Sequence, residues 1–216
     1  MSGTLRWRQL QLGNGIIQSG KVAFGEYVRL VIDGRCQYDF MRHLFFEPRP
    51  GEEAWQMWLE TDTASIQAGT PEFIEEVGSM IRHRGLLANL SLRENLLLPF
   101  LYRGEDERLQ KAEDEVNEVA EFIGLASSLN EQAGERSAYT HALVSLGRCL
   151  LRRPDIIIAQ EVHVGMPPDR LTHFRALAVE ALNVLGSGIL YLTATEHEGS
   201  GVEFSRTLSL DIPGKA

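Results

Sequence analysis

Residues 150–161 read LLRRPDIIIAQE. Before them Leu143, Leu146, Leu150 and Leu151 recur at helical spacing, and Pro154 ends that helix because its ring cannot continue one. Asp155–Ala159 follows at once as an apolar run of strand length. A second such run, Gly188–Thr193 (GILYLT), lies downstream. Between the two, residues 168–185 place Leu171, Phe174, Leu177, Ala178, Leu182 and Leu185 at spacings of three and four, and Gly186 supplies a stop. Strand, helix and strand with a connection of this length predict a right-handed βαβ crossover and a parallel sheet.

The same pattern extends outward. Val28–Ile32 is a third apolar run, and it leads through a short turn into a helical face of Phe40, Met41, Leu44 and Phe45. Trp55, Met57 and Leu59 alternate as in a half-buried strand. The middle of the chain is helical. Glu105–Ile123 carries Leu109, Ala112, Val116, Val119, Ala120 and Ile123 on one face, and a further helix runs from Ser137 to Arg152. The expectation is an α/β core of residues 1–82 and 155–216, interrupted by a helical subdomain at 83–154.

The 216 residues suffice for one large domain. A net charge of -9 argues against a general nucleic-acid binder, which would present a basic face. Cys36 and Cys149 are the only cysteines and form no CxxC pair, which excludes a disulfide scaffold and fits a reducing compartment. The six histidines show no HxH or HxxxH pairing, so no metal site is expected, and no GxSxG elbow occurs. The start of the chain has no apolar stretch of a signal peptide, and no run approaches the ~20 residues that span a bilayer. A cytoplasmic location is expected, with any membrane role coming through a partner.

Three anchors carry a family resemblance: Gly25-Glu26, the run Gly85–Phe100 (GLLANLSLRENLLLPF) and the segment RRPDIIIAQE. In this order and spacing they resemble the ATP-binding cassette family of P-loop ATPases, over almost the whole chain. The middle run is most similar to cassettes of lipid- or lipoprotein-handling transporters of the Mla and Lol type. The resemblance implies a P-loop NTPase-like core with an inserted helical subdomain, and it assigns positions.

The phosphate loop, GxxxxGK[ST], falls on Ile32–Phe40. There Ile32 and Gln37 hold the glycine positions, Gly34 lies one place away, Tyr38 holds the lysine position, and Asp39 and Phe40 replace the hydroxyls. Such a loop needs glycines for backbone approach and a lysine for the β/γ-phosphates. The Asp-Glu pair that supports Mg²⁺ and polarises water becomes Gln160 and Glu161. The signature falls on residues 136–140, keeping Ser137, which could equally cap the next helix, and replacing its two glycines by Ala138 and Tyr139. The switch histidine falls on Ala194, with His197 three residues on; the Q-loop falls near Arg82 and the D-loop on residues 165–168.

The resulting expectation is a cassette-like subunit that does not hydrolyse ATP. It regulates or scaffolds a transporter, with no cofactor of its own. Its partners are a transmembrane permease, another cassette subunit or a second copy, at the inner face of the membrane. The partner-contacting residues are Arg82, Leu86, Leu87, Asn89, Leu90, Glu94 and Asn95, since the family meets its transmembrane subunits through this region. The rival expectation is a residual ATPase that uses Glu161, with ATP and Mg²⁺.

Overall fold

The computed structural model describes residues 3–13, 15–46, 56–81, 86–101, 106–134, 136–196 and 202–211. The strands are β1 (Thr4–Trp7), β2 (Leu10–Leu12), β3 (Gly15–Ile17), β4 (Gly20–Ala23), β5 (Tyr27–Val31), β6 (Met57–Glu60), β7 (Ser65–Gln67), β8 (Val77–Ile81), β9 (Ile156–Gln160), β10 (Gly188–Thr193) and β11 (Arg206–Ser209). The helices are α1 (Gly34–Phe45), α2 (Pro71–Glu76), α3 (Leu92–Leu101), α4 (Asp106–Phe122), α5 (Ala138–Arg152) and α6 (Pro168–Leu185). The chain forms two compact units. One comprises 1–78, 154–161 and 186–216; the other comprises 79–153 and 162–185, so α6 groups with the helices.

The first unit carries the sheets. β5, β10 and β9 are parallel neighbours, with Leu190 opposite both Val28 and Ile158, and β11 adds to β5 in parallel. Val28, Leu30, Ile157, Ile158, Leu190 and Leu192 are all buried, as continuous apolar strands of a parallel sheet must be. The parallel β9–β10 pair bears out the parallel sheet expected from LLRRPDIIIAQE. A separate antiparallel sheet runs β4-β1-β6-β7. Met57 and Leu59 are buried on it and Trp58 only half-buried, while Trp55 lies outside the described residues.

Gly25-Glu26 has a local cause. Gly25 has φ +75° in the turn closed by Glu26 N–H donating to the Ala23 carbonyl at 3.0 Å, and the Glu26 carboxylate accepts the Ala23 N–H at 2.9 Å. The turn sets β5 beside β10, where Ile189 N–H donates to the Glu26 carbonyl at 2.7 Å. Gly188 leaves no room for a side chain: a Cβ there would stand 2.2 Å from the Ala23 carbonyl oxygen.

The second unit is built on α3, α4, α5 and α6. Leu96, Val116, Ala120, Ile123, Leu143 and Leu146 form its core. Gly147 lets α5 approach closely, since a Cβ would lie 2.6 Å from Leu96 Cδ2. α3 contains Pro99, which removes the N–H that would bond the Asn95 carbonyl one turn back. Arg148 fills that gap, donating from Nε to the Asn95 oxygen at 2.7 Å. Burial pushes the Arg148 guanidinium down to about 10. No helix among the described residues is long and apolar enough to cross a membrane.

Candidate functional site

In the first unit, β5, β9 and β10 all end at the same edge of the sheet, and α1 starts there. Only Ile32 and Asp33 separate β5 from α1. Asp33 caps the helix: its carboxylate accepts the Cys36 backbone N–H at 2.9 Å. That hydrogen bond holds the Asp33 carboxyl below the ordinary range. Gln37 N–H donates to the Asp33 carbonyl at 2.8 Å, so the helical ladder is already running at residue 37. Of the positions aligned with the phosphate loop, 34–37 are wound into the first turn of α1.

Gln37 is fully buried and every polar atom of its side chain is used. Nε2 donates to the Ile32 carbonyl at 3.1 Å and to Glu161 Oε1 at 3.0 Å, while Oε1 accepts from Gln160 Nε2 at 3.1 Å. Gln37, Gln160 and Glu161 are therefore brought together. Glu161 takes the left-handed conformation, φ +43°, unusual for a residue with a side chain. Its N–H donates to Leu192 at 3.2 Å, and Ile32 N–H donates to Thr193 at 2.9 Å, so the ends of β9 and β5 both bond to β10. Ala194 follows β10 half-buried at the same edge, and His197 lies outside the described residues.

Gly34 opens α1 in open space, Tyr38 is 55% exposed and Asp39 half-buried. Tyr38, Asp39, Arg42 and His43 line one side of an open cleft of about 400 Å³, with Gln11 and Gly13 opposite. Cys36, at a helix start that would ordinarily acidify a thiol, is instead raised by partial burial and by the Asp33 charge. Among the described residues no three His, Cys, Asp or Glu side chains cluster as metal ligands would.

The signature and partner positions lie in the helical unit. Ser137 caps α5, accepting the Thr140 N–H at 3.3 Å. The Tyr139 hydroxyl meets His173 Nδ1 at 2.6 Å, with the Arg170 guanidinium 5.2 Å from its ring centre. Ser91 and Glu94 form a capping box at the start of α3, Ser91 N–H donating to Glu94 at 2.7 Å and Glu94 N–H to Ser91 Oγ at 3.1 Å. The Ser91 amide holds the Glu94 carboxyl below its ordinary value.

Asn95 is fully buried. It accepts the Leu87 N–H at 2.8 Å and donates to the Leu87 and Ser91 carbonyls at 3.0 and 2.9 Å. As a surface contact Asn95 is corrected: it shapes the 86–91 loop from inside. Leu87 and Asn89 are exposed, Leu86 and Leu90 half-buried, and Arg82 lies outside the described residues.

Two groups escape the sequence reading, the Asp33 cap and the Tyr139–His173 pair. An aspartate directly before a helical run is an N-cap signal, so the first was readable. The second joins residues 34 apart and leaves no local pattern.

No family model matches the chain. It is 28% identical over 136 residues to a lipoprotein-releasing system ATP-binding protein, LolD, of Novosphingobium aromaticivorans, covering 63% of this chain and 59% of that one. It is 28% identical over 119 residues to a methionine import ATP-binding protein, MetN, of Rhizobium johnstonii, covering 54% and 32%. The chain thus spans between a third and three-fifths of these relatives. Among solved structures it superposes on cbiO1 of Clostridium perfringens, described as part of the ABC transporter complex cbiONQ, with a TM-score of 0.65 and 14% identity over 88% of this chain and 78% of that one.

The fold is that of an ATP-binding cassette. In sequence the chain resembles the ATP-binding subunits of ABC transporters, the lipoprotein-releasing type among them.

Proposed function

We propose that this chain is a cassette subunit that does not hydrolyse ATP and that regulates or scaffolds a transporter assembly. Gln37 carries the reading. A phosphate at a helix start needs free backbone N–H groups and small residues beside them. Here the Cys36 N–H is taken by the Asp33 carboxylate, residues 34–37 are helical, and the Gln37 side chain fills the space between α1 and the end of β9. α1 holds no lysine, and a triphosphate would meet the Asp33 charge. These residues do not fit ATP phosphates with Mg²⁺.

The partner in this reading is a transmembrane permease, another cassette subunit or a second copy, at the cytoplasmic face of the membrane. The loop and helix at 86–101 supply the contact, with Leu87 and Leu101 exposed at 40% and 48%. Similarity to a lipoprotein-releasing subunit supports a lipid-handling transporter as the class.

One observation favours the rival, a residual ATPase: Glu161 stands at the end of β9 in a strained left-handed conformation of the kind that clusters at active sites. Equilibrium titration with Mg-ATP, paired with a phosphate-release assay, tests between them. No binding and no turnover are expected. Turnover that disappears in Glu161→Gln would establish the rival.

A further inference from the structure

We infer that Gln37 is a built-in tether, holding Glu161 and the end of β9 to the start of α1 without any nucleotide, so that this edge of the sheet keeps one conformation whether or not ATP is present. The inference rests on the reading that no nucleotide sits at the start of α1, and it adds what takes the nucleotide's place.

The geometry is complete in itself. The Ile32 carbonyl can only accept, so it fixes Gln37 Nε2 toward it and leaves Oε1 for Gln160. The second Nε2 hydrogen goes to the Glu161 carboxylate, a charged and therefore stronger acceptor. One buried amide thus joins the residue after β5, the last residue of β9 and the residue after it. Glu161 needs such a constraint, because a non-glycine residue at φ +43° persists only where its surroundings over-determine it. With its carboxylate engaged by Gln37, Glu161 is also drawn away from orienting a water. Partners contacting this edge would receive a constant conformation from the chain rather than one timed by ATP.

Hydrogen exchange on the full chain tests this, with and without Mg-ATP, in the wild type, Gln37→Glu, Gln160→Ala, Glu161→Gln and the Gln37→Glu/Glu161→Gln pair. Gln37→Glu sets two carboxylates against each other and should speed exchange of the Glu161 amide by roughly tenfold or more, with Gln160→Ala giving a smaller rise. Adding Glu161→Gln to Gln37→Glu should recover a measurable part of the protection, as coupled neighbours do. Unchanged exchange at 160–161 in both Gln37→Glu and Gln160→Ala would overturn the tether. Gln160 is only half-buried, so if Gln37→Glu does not fold, unchanged exchange at 160–161 in Gln160→Ala alone overturns the tether. Slowed wild-type exchange at 32–37 on adding Mg-ATP would instead overturn the nucleotide-free reading, and the variants would still decide the tether.

Discussion

Arg148 donates from Nε to the Asn95 carbonyl at 2.7 Å, the carbonyl that Pro99 leaves without an intrahelical donor. A proline inside a helix removes one hydrogen bond, and here a side chain from another helix replaces it. Arg148→Met should therefore lower stability by about 1–3 kcal/mol, the cost of a buried group left unsatisfied. Pro99→Ala restores an N–H and should return part of that loss in the Arg148→Met background. Urea denaturation of both singles and the double checks the pair.

The Asp33 cap should cost about 1 kcal/mol when removed as Asp33→Ala, and less as Asp33→Asn, which keeps an acceptor. Its pH signature follows from the lowered carboxyl. Folding favours the ionised form, so its contribution is full above the ordinary aspartate value of about 3.9 and is lost as pH falls through the lower folded value. Melting temperatures followed from neutral to strongly acid pH should show this loss in the wild type, and a flatter course in Asp33→Asn.

The two thiols should separate cleanly. Burial pushes Cys149 up to about 11 and encloses it, whereas Cys36 is partly exposed. A thiol reagent at mildly alkaline pH should label one cysteine in the native protein, slowly because the Cys36 thiol is also raised, and two after unfolding. Rapid native labelling of both would contradict the burial.

On the proposed function, Leu87→Asp should abolish capture of a transmembrane permease while leaving the melting temperature within about 1 °C of wild type, since surface changes at exposed positions usually stay within ±0.5 kcal/mol. Asn95→Ala should do the reverse, lowering stability by about 1–3 kcal/mol because the Leu87 and Ser91 groups it satisfies lose their partner. Co-purification with the permease, read beside thermal melts, distinguishes the surface residue from the one beneath it.

The long elements were legible in the sequence because their ends carry chemistry. Residues 168–185 form α6 as read, residues 188–193 form β10, and Ser137 caps α5. The antiparallel sheet was legible only in part. Only β6 announced itself, through the alternation of Met57 and Leu59; the other strands are three or four residues long, and β1 pairs with β6 across more than fifty residues of chain. The same limit applies to the site. Gln37 and Glu161 could each be placed by spacing, yet their hydrogen bond spans 124 positions. The inward turn of Asn95 was hidden too, since nothing in LSLREN marks which polar residue satisfies the loop behind it.

Because residues 34–37 are helical rather than looped, they constrain how this protein could change. Side chains at the start of α1 can be exchanged one at a time, whereas the path of its first turn is held by backbone hydrogen bonds such as Gln37 N–H to the Asp33 carbonyl. On the proposed function, a phosphate-binding loop at this position would need the main chain of residues 34–37 re-routed, which an exchange of side chains alone does not supply.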